Sequence, residues 1–221
     1  MPTRRAPRRL SRVEAQAVTR ARLLRAATEV FAERGFLAAS LTDVADRAGY
    51  TIGAVYSNFA SKDALFQALM EDRLRAVEAN LAAALPATGP VQADDAGSID
   101  DQIEAELGRM QAAEDAVPPG WWRLLAEFRS YAADRPDVRR ELDASDRRCR
   151  DLIANHIDRF ATGIGIHLPM PALELAELTT ALTDGLRAAH ADGRTEVTPG
   201  EGLRRVVAAM LAEARRGSGR S

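Results

Sequence analysis

The segment SLTDVADRAGYTIGAVYSNFASK, from Ser40 to Lys62, leaves the chain few ways to fold. Ser40 and Asp43 have the spacing of a capping box, in which hydroxyl and carboxylate each satisfy a free backbone N–H at a helix start. Leu41, Val44, Ala45 and Ala48 then fall at i, i+3, i+4 and i+7, one buried stripe on barely two turns. Gly49 ends that helix, where a left-handed residue is easiest. Thr51 can cap a further helix in which Val55 and Phe59 face inward and Ile52, Gly53, Ala54, Tyr56, Ser57 and Asn58 point elsewhere. Two short helices joined by a tight glycine turn predict a helix-turn-helix whose second helix presents its N-terminal face outward. Any two-helix corner gives a related pattern, so the exposed residues discriminate. Thr51, Tyr56, Ser57 and Asn58 are compact hydrogen-bonders able to reach phosphates or base edges, whereas a solvated face favours Glu and Lys. Lys62 is the single lysine beside 29 arginines, and it opens another helix at the end where a cation opposes the dipole. That placement predicts an anion, such as a DNA phosphate.

The formal net charge of -2 conceals an asymmetry: residues 1–75 carry 13 basic and 8 acidic side chains, the rest 17 and 24. Arg4, Arg5, Arg8, Arg9 and Arg12 lie in a Pro-containing stretch with almost no apolar residues, so residues 1–12 read as a disordered basic arm suited to a polyphosphate partner. The alternative is a merely solubilising tail. The composition, 46% hydrophobic but only 5% aromatic and dominated by Ala, Leu, Arg and Glu, favours an all-α fold, since these side chains lose little rotamer freedom in a helix. No run of about 18 apolar residues spans a membrane and no apolar stretch follows the basic N-terminus, so a cytoplasmic protein is expected, without a membrane partner. Cys149 is alone, excluding an internal disulfide, and no Cys/His cluster has metal-ligand spacing, so neither a metal nor a cofactor is expected.

The stretch from Arg22 to Leu69, with LLRAATEVFAERGF followed by the segment above, resembles the N-terminal DNA-binding domain of the TetR family of one-component transcriptional regulators. Ala27, Phe31, Gly35, Ser40, Val44, Ala45, Ala48, Gly49, Gly53, Ala54, Val55, Tyr56, Phe59, Ser61 and Lys62 carry the family pattern over roughly a quarter of the chain. Tyr50 and Asn58 depart from it, at a turn position that is usually small and aliphatic and at one that is commonly His or Tyr. The resemblance implies that Ser40, Thr42, Tyr56 and Lys62 contact the sugar-phosphate backbone. It places Thr51, Ile52, Gly53, Ser57 and Asn58 near bases in the major groove, with Arg4, Arg5, Arg8 and Arg9 adding phosphate or minor-groove contacts.

The expected division is an arm (1–12), a three-helix DNA-binding domain (13–61) whose first helix ends at Gly35, a connecting helix (62–85), a larger helical domain (86–216) and a disordered tail (217–221). Helices are expected near Ile99–Glu114, Trp121–Ala133, Asp137–Phe160, Ala172–His190 and Gly202–Arg216. Leu175, Leu178, Leu182, Gly185 and Leu186 on one of the last two helices, and Leu203, Val206, Val207, Met210 and Leu211 on the other, form broad apolar stripes. These pack either within the monomer or, as the resemblance implies, in an intersubunit four-helix bundle. A homodimer would set two recognition helices about 34–36 Å apart on a roughly palindromic operator.

Met110, Trp121, Trp122, Phe128, Arg129, Tyr131, His156 and Phe160 lie in the middle region, where the family encloses a small-molecule effector. Aromatics at helical spacing are equally the makings of a core. Trp121 and Trp122 cannot both face inward on one helix. An enzyme finds little support: Cys149 and His156 are about 10.5 Å apart along a helix, too far for a thiolate–imidazole pair. His167 and His190 have no evident partners, and no acid/base pair of carboxylates can be named. The expectation is therefore a ligand-responsive, sequence-specific repressor released from double-stranded operator DNA by a small hydrophobic effector. The alternative is a helical protein–protein adaptor without specific DNA binding.

Overall fold

The computed structural model describes residues 11–84, 98–118 and 120–218. Arg4, Arg5, Arg8 and Arg9 of the basic arm lie outside the described residues, as do residues 85–97 and the last three residues of the tail. Among the described residues the secondary structure is entirely helical: α1 (Arg12–Ala38), α2 (Leu41–Ala48), α3 (Ile52–Tyr56), α4 (Lys62–Ala84), α5 (Ile99–Asp115), α6 (Trp121–Ala132), α7 (Pro136–Ile164), α8 (Ala172–Ala191) and α9 (Pro199–Ser218).

Local chemistry sets most of the helix ends. Ser11 and Glu14 form a capping box at α1, so that Arg12, assigned from sequence to the arm, is the first helical residue. The same arrangement starts α2 with Ser40 and Asp43, and α5 with Ser98 and Asp101. Pro136 and Pro199 stand at the first positions of α7 and α9, where a missing N–H costs nothing, and they lengthen both helices beyond the expected starts. Gly35 does not end α1. The chain kinks there, at φ 76° and ψ 165°, and resumes helical conformation to Ala38.

The chain forms two compact units. Of the described residues, one unit comprises those up to Glu71 together with Arg123–Arg139; the other comprises those from Asp72 to Trp122 and from Arg140 onward. The division differs from the expected one: the first part of α4 belongs to the helix-turn-helix unit, and so do most of α6 and the first residues of α7, which the sequence places in the larger domain.

The reason is aromatic packing. Phe66 of α4 stacks on Phe128 of α6 with ring centroids 4.0 Å apart. Phe36 meets the two rings edge-on, at 5.4 and 4.9 Å, and Tyr131 at 4.9 Å. Phe31 completes the cluster, and Leu23, Ala27 and Val30 of α1, Val44 of α2 and Val55 of α3 are fully buried in the same unit. Around its edge Arg47 pairs with Glu29 and Glu33, and Arg34 with Asp43, fastening α2 to α1 through exposed ion pairs worth little each.

α6 is also held to α1 by its polar face. Phe36 N–H donates to Glu127 Oε2 at 2.8 Å, and Arg123 donates to the Ala32 carbonyl at 3.0 Å. In the second unit α9 packs on α5 and α8. Its core joins Ile103 and Leu107 of α5 and Ile164 of α7 to Leu203, Val207 and Leu211 of α9. Arg187 of α8 lies with its guanidinium 3.4 Å from the Trp122 ring centre and grips both Glu114 oxygens at 2.6 Å, a planar fork that no lysine reproduces.

Gly35 combines a backbone region open essentially to glycine alone with the absence of a side chain, since a Cβ there would stand 2.6 Å from Glu127 Oε2. Gly35→Ala is expected to destabilise the fold by about 2–4 kcal/mol, the backbone strain plus the displaced Glu127 hydrogen bond. Urea unfolding measures it; a loss below about 0.5 kcal/mol would mean that the kink relaxes freely.

Candidate functional site

α3 is only five residues long, and the caps before it define the turn and its start. Gly49, left-handed at φ 71°, donates to the Ala45 and Asp46 carbonyls and turns the chain out of α2. Thr51 accepts from Ala54 N–H to open α3. Val55 is completely buried and Phe59 nearly so, which fixes the helix roll and turns Ile52 (39% exposed) and Tyr56 (58% exposed) to solvent beside Thr42, Thr51, Gly53 and Ser57.

The polar residues of this face are less free than the sequence suggests. The Ser57 hydroxyl donates to the Ala54 carbonyl at 2.9 Å, and the Asn58 amide donates to the same carbonyl at 2.8 Å and to Ser57 Oγ at 3.3 Å. Their hydrogens are spent, so Ser57 Oγ and Asn58 Oδ1 meet an approaching ligand as acceptors. Ser40 is similarly engaged with Asp43. Tyr50, one of the two departures from the family pattern, is half-buried, and its hydroxyl accepts from Arg22 at 3.4 Å. Hydrogen bonding, with Thr19 the largest contributor, holds that phenol below its usual range.

Lys62 corrects the sequence argument. Its ammonium does not await an anion: Nζ donates to the carbonyls of Phe36 (2.8 Å), Leu37 (3.1 Å) and Ala39 (2.9 Å), and lies 4.6 Å from the centre of the Phe36 ring. All three N–H groups are used on carbonyls that the kinked end of α1 would otherwise leave bare. Burial lowers the lysine below its ordinary value.

The eight middle-region residues separate. Phe128 and Tyr131 belong to the aromatic cluster of the helix-turn-helix unit, Arg129 is exposed, Trp121 is buried and Trp122 lies under Arg187. None of these five lines a cavity described here. Met110, His156 and Phe160 do line one, of about 50 Å³, in the second unit among α5, α7, α8 and α9. Its polar lining residues are Glu106, His156 and Thr179. Glu106 and Thr179 were missed because a lone Glu and Thr within helical patterns resemble any surface residue.

Glu106 is 5% and His156 6% exposed, and they meet at 2.6 Å through His156 Nε2. Arg109 also donates to Glu106. Burial pushes the Glu106 carboxyl up, but the hydrogen bonds from His156 and Arg109 outweigh it and hold the group below its ordinary value. His156 therefore has a partner fifty residues away in sequence.

The C-terminal stripes divide too. Leu175, Leu203, Val207 and Leu211 are buried within the protomer, correcting their assignment to an intersubunit face, and Leu186 sits where a Gly202 side chain would be. Leu178, Val206 and Gly185 are exposed, with Leu182 and Met210 partly so. Burial pushes the Cys149 thiol above its ordinary value, the opposite of an activated nucleophile. Among the described residues no group of His, Cys, Asp and Glu could hold a metal ion, and no helix is long and apolar enough to cross a membrane.

Lys62→Ala is expected to cost about 1–3 kcal/mol of stability by baring buried carbonyls, and to leave the salt dependence of DNA affinity unchanged. Thermal unfolding and fluorescence anisotropy at several salt concentrations test both halves. Unaltered stability with a slope reduced by about one phosphate would return Lys62 to the DNA.

Two family models match the chain: bacterial regulatory proteins of the tetR family over residues 23–69, and the C-terminal domain of BetI-type transcriptional repressors over residues 105–216. The transcriptional activator FasR of Mycolicibacterium smegmatis is 28% identical over 140 residues, which is 63% of this chain and 59% of FasR. The transcriptional regulator UidR of Escherichia coli K12 is 42% identical over 60 residues, 27% of this chain and 31% of UidR. The chain thus matches less than two thirds of the length of either relative. A TetR-family structure from Mesorhizobium loti superimposes with a TM-score of 0.66 at 17% identity, covering 93% of this chain and 97% of that one. With family models matching both an N-terminal helix-turn-helix and a C-terminal helical region, the chain belongs to the TetR family of bacterial transcriptional regulators.

Proposed function

We propose that the protein is a homodimeric repressor that binds a palindromic operator through α3 and is released by a small hydrophobic effector held in the cavity of the second unit. The observation that carries this reading is the face of α3. Ile52 and Tyr56 stand exposed beside Gly53, whose bare backbone permits close approach to a groove. Ile52 suits the methyl group of thymine, and Ser57 Oγ and Asn58 Oδ1, as acceptors, suit the amino groups of adenine or cytosine. Tyr56, Thr42, Thr51 and Ser40 serve phosphates and sugars, with the arginines of the arm adding affinity independent of sequence.

Support for a dimer comes from the exposed remainder of the C-terminal stripes, Leu178 with Val206 and the small Gly185 between larger neighbours. A helical adaptor could use these stripes, but it has no need of the capped, outward-facing α3. Coupling has a covalent route, because α4 and α7 each contribute residues to both units along continuous helices. The effector must bind the DNA-free state more tightly, and a tenfold loss of operator affinity requires about 1.4 kcal/mol of such preference. The family model that matches the C-terminal region is named for repressors, whereas FasR is named an activator, and the position of the operator relative to the promoter decides the sign.

Selection of genomic fragments on the purified protein is expected to return a short palindrome, and Ile52→Ala to relax one base position per half-site at a cost of about 1–3 kcal/mol. Recovery of unrelated sequences, or an unaltered preference in the variant, would refute the assignment of α3. The double substitution Leu178→Arg with Val206→Arg is expected to yield a folded monomer by light scattering, with operator affinity reduced at least a hundredfold as the two half-sites uncouple. A dimer surviving both changes would place the interface elsewhere.

A further inference from the structure

α3 is too short to fix its own direction. Its five residues make little more than one turn, which gains too little hydrogen bonding to stand without support. Gly49 and Thr51 secure its beginning. Beyond Tyr56 the chain runs through Ser57 and Asn58, the two side chains that present acceptors, to the buried Phe59. This second end is held from α1, by Arg20.

Arg20 makes two contacts there. Its Nη1 donates to the Asn58 carbonyl at 3.2 Å, and its guanidinium carbon lies 4.5 Å from the centre of the Phe59 ring. Arg20 and Asn58 are half-buried, so a charge-assisted hydrogen bond and a cation over a ring keep more of their strength here than in open water. The carbonyl belongs to one acceptor-bearing residue and the ring to its neighbour. One cation thus pins the backbone that carries Ser57 and Asn58.

The beginning of α3 has a weaker link to the same helix. Tyr50 N–H donates to the Ala45 carbonyl at 2.9 Å, completing the turn out of α2, and the Tyr50 hydroxyl accepts from Arg22 Nη1 at 3.4 Å. That second bond is long and exposed, so it adds little to what the caps already fix.

A basic side chain beside a DNA-facing helix is ordinarily read as a phosphate contact. Arg22 and Arg25 are exposed and suit that role, whereas Arg20 is half-buried and committed to a carbonyl and a ring. From this geometry we infer that Arg20 is a positioning residue for base recognition: it touches no DNA, and it holds Ser57 and Asn58 at the depth and angle at which their oxygens meet base edges. The inference rests on the reading of α3 as the DNA-facing helix. Loss of Arg20 leaves the phosphate contacts intact and loosens base reading, first at the positions met by Ser57 and Asn58 and least at those met by Ile52, on the capped end.

The palindrome recovered by genomic selection and a scrambled duplex of equal length are the probes, titrated by fluorescence anisotropy at several salt concentrations against the full chain. Arg20→Ala is expected to bind the palindrome about tenfold more weakly and the scrambled duplex equally well, with the salt slope unchanged. Arg20→Lys, which keeps a cation over Phe59 and a donor for the carbonyl, should recover most of the loss. With single base substitutions through the half-site, Arg20→Ala should flatten the preferences that Ser57→Ala and Asn58→Ala flatten and keep the one lost in Ile52→Ala. In unmodified protein labelled with ¹⁵N-arginine, the Arg20 side-chain signals, displaced by the Phe59 ring, should stay in place when the palindrome is added. This last measurement stands even if Arg20→Ala does not fold.

An equal loss of affinity for both duplexes, with the slope reduced by about one phosphate, would make Arg20 a phosphate contact and overturn the inference. Movement of its signals to those of a phosphate-bound guanidinium, or unchanged discrimination in a folded Arg20→Ala, would overturn it as well. If the unmodified protein itself showed no preference between recovered sites and scrambled duplexes, the reading of α3 would fall, and the inference with it.

Discussion

The helix-turn-helix unit depends on how α1 ends. A helix that kinks at Gly35 and stops at Ala38 leaves carbonyls without partners of their own helix. Lys62 supplies three hydrogens from the start of α4 and Glu127 supplies a carboxylate from α6, so the two faces of the kink are met by charges of opposite sign. The ammonium lies against carbonyl oxygens and the carboxylate against an amide hydrogen, each matched to the partial charge it covers. α2 and α3 follow within a few residues, so the same junction sets the direction in which α3 leaves the core.

Sequence periodicity located the helices well because the caps are local. Ser40 with Asp43, Gly49 and Thr51 act within four residues of the ends they define, and the structure places each at the expected end. Lys62 was misread for the complementary reason. Its position at a helix start was legible, but its partners are 23–26 residues away and exist only because α1 bends back. A local dipole argument sees an unfavourable cation, whereas the fold uses it to cap a different helix.

The middle region was legible as helices and largely illegible as a site. Phe128 and Tyr131 have the composition of a pocket wall, but a helical period cannot say which neighbouring helix an aromatic face will meet. His156 and Glu106 show the converse. Neither signals anything alone, and fifty residues separate them, yet they meet at 2.6 Å among the residues around the cavity. The C-terminal stripes were read as one surface, and packing divided them: on α9, Val207 and Leu211 turn inward while Val206, one residue along, remains exposed.

Because Phe128, Glu127, Arg123 and Tyr131 of α6 complete the core around α1 and α4, the helix-turn-helix unit is discontinuous along the chain. A fragment cut after α4 would carry every residue proposed to face DNA and still lack one wall of its own interior. Phe36 and Phe66 would then be left as an open apolar face. Modular exchange of operator specificity between regulators of this kind therefore cannot be done by transplanting the N-terminal third alone. A chimaera has to carry α6 with the reading head, or redesign the host's α6 to fit the new aromatic face.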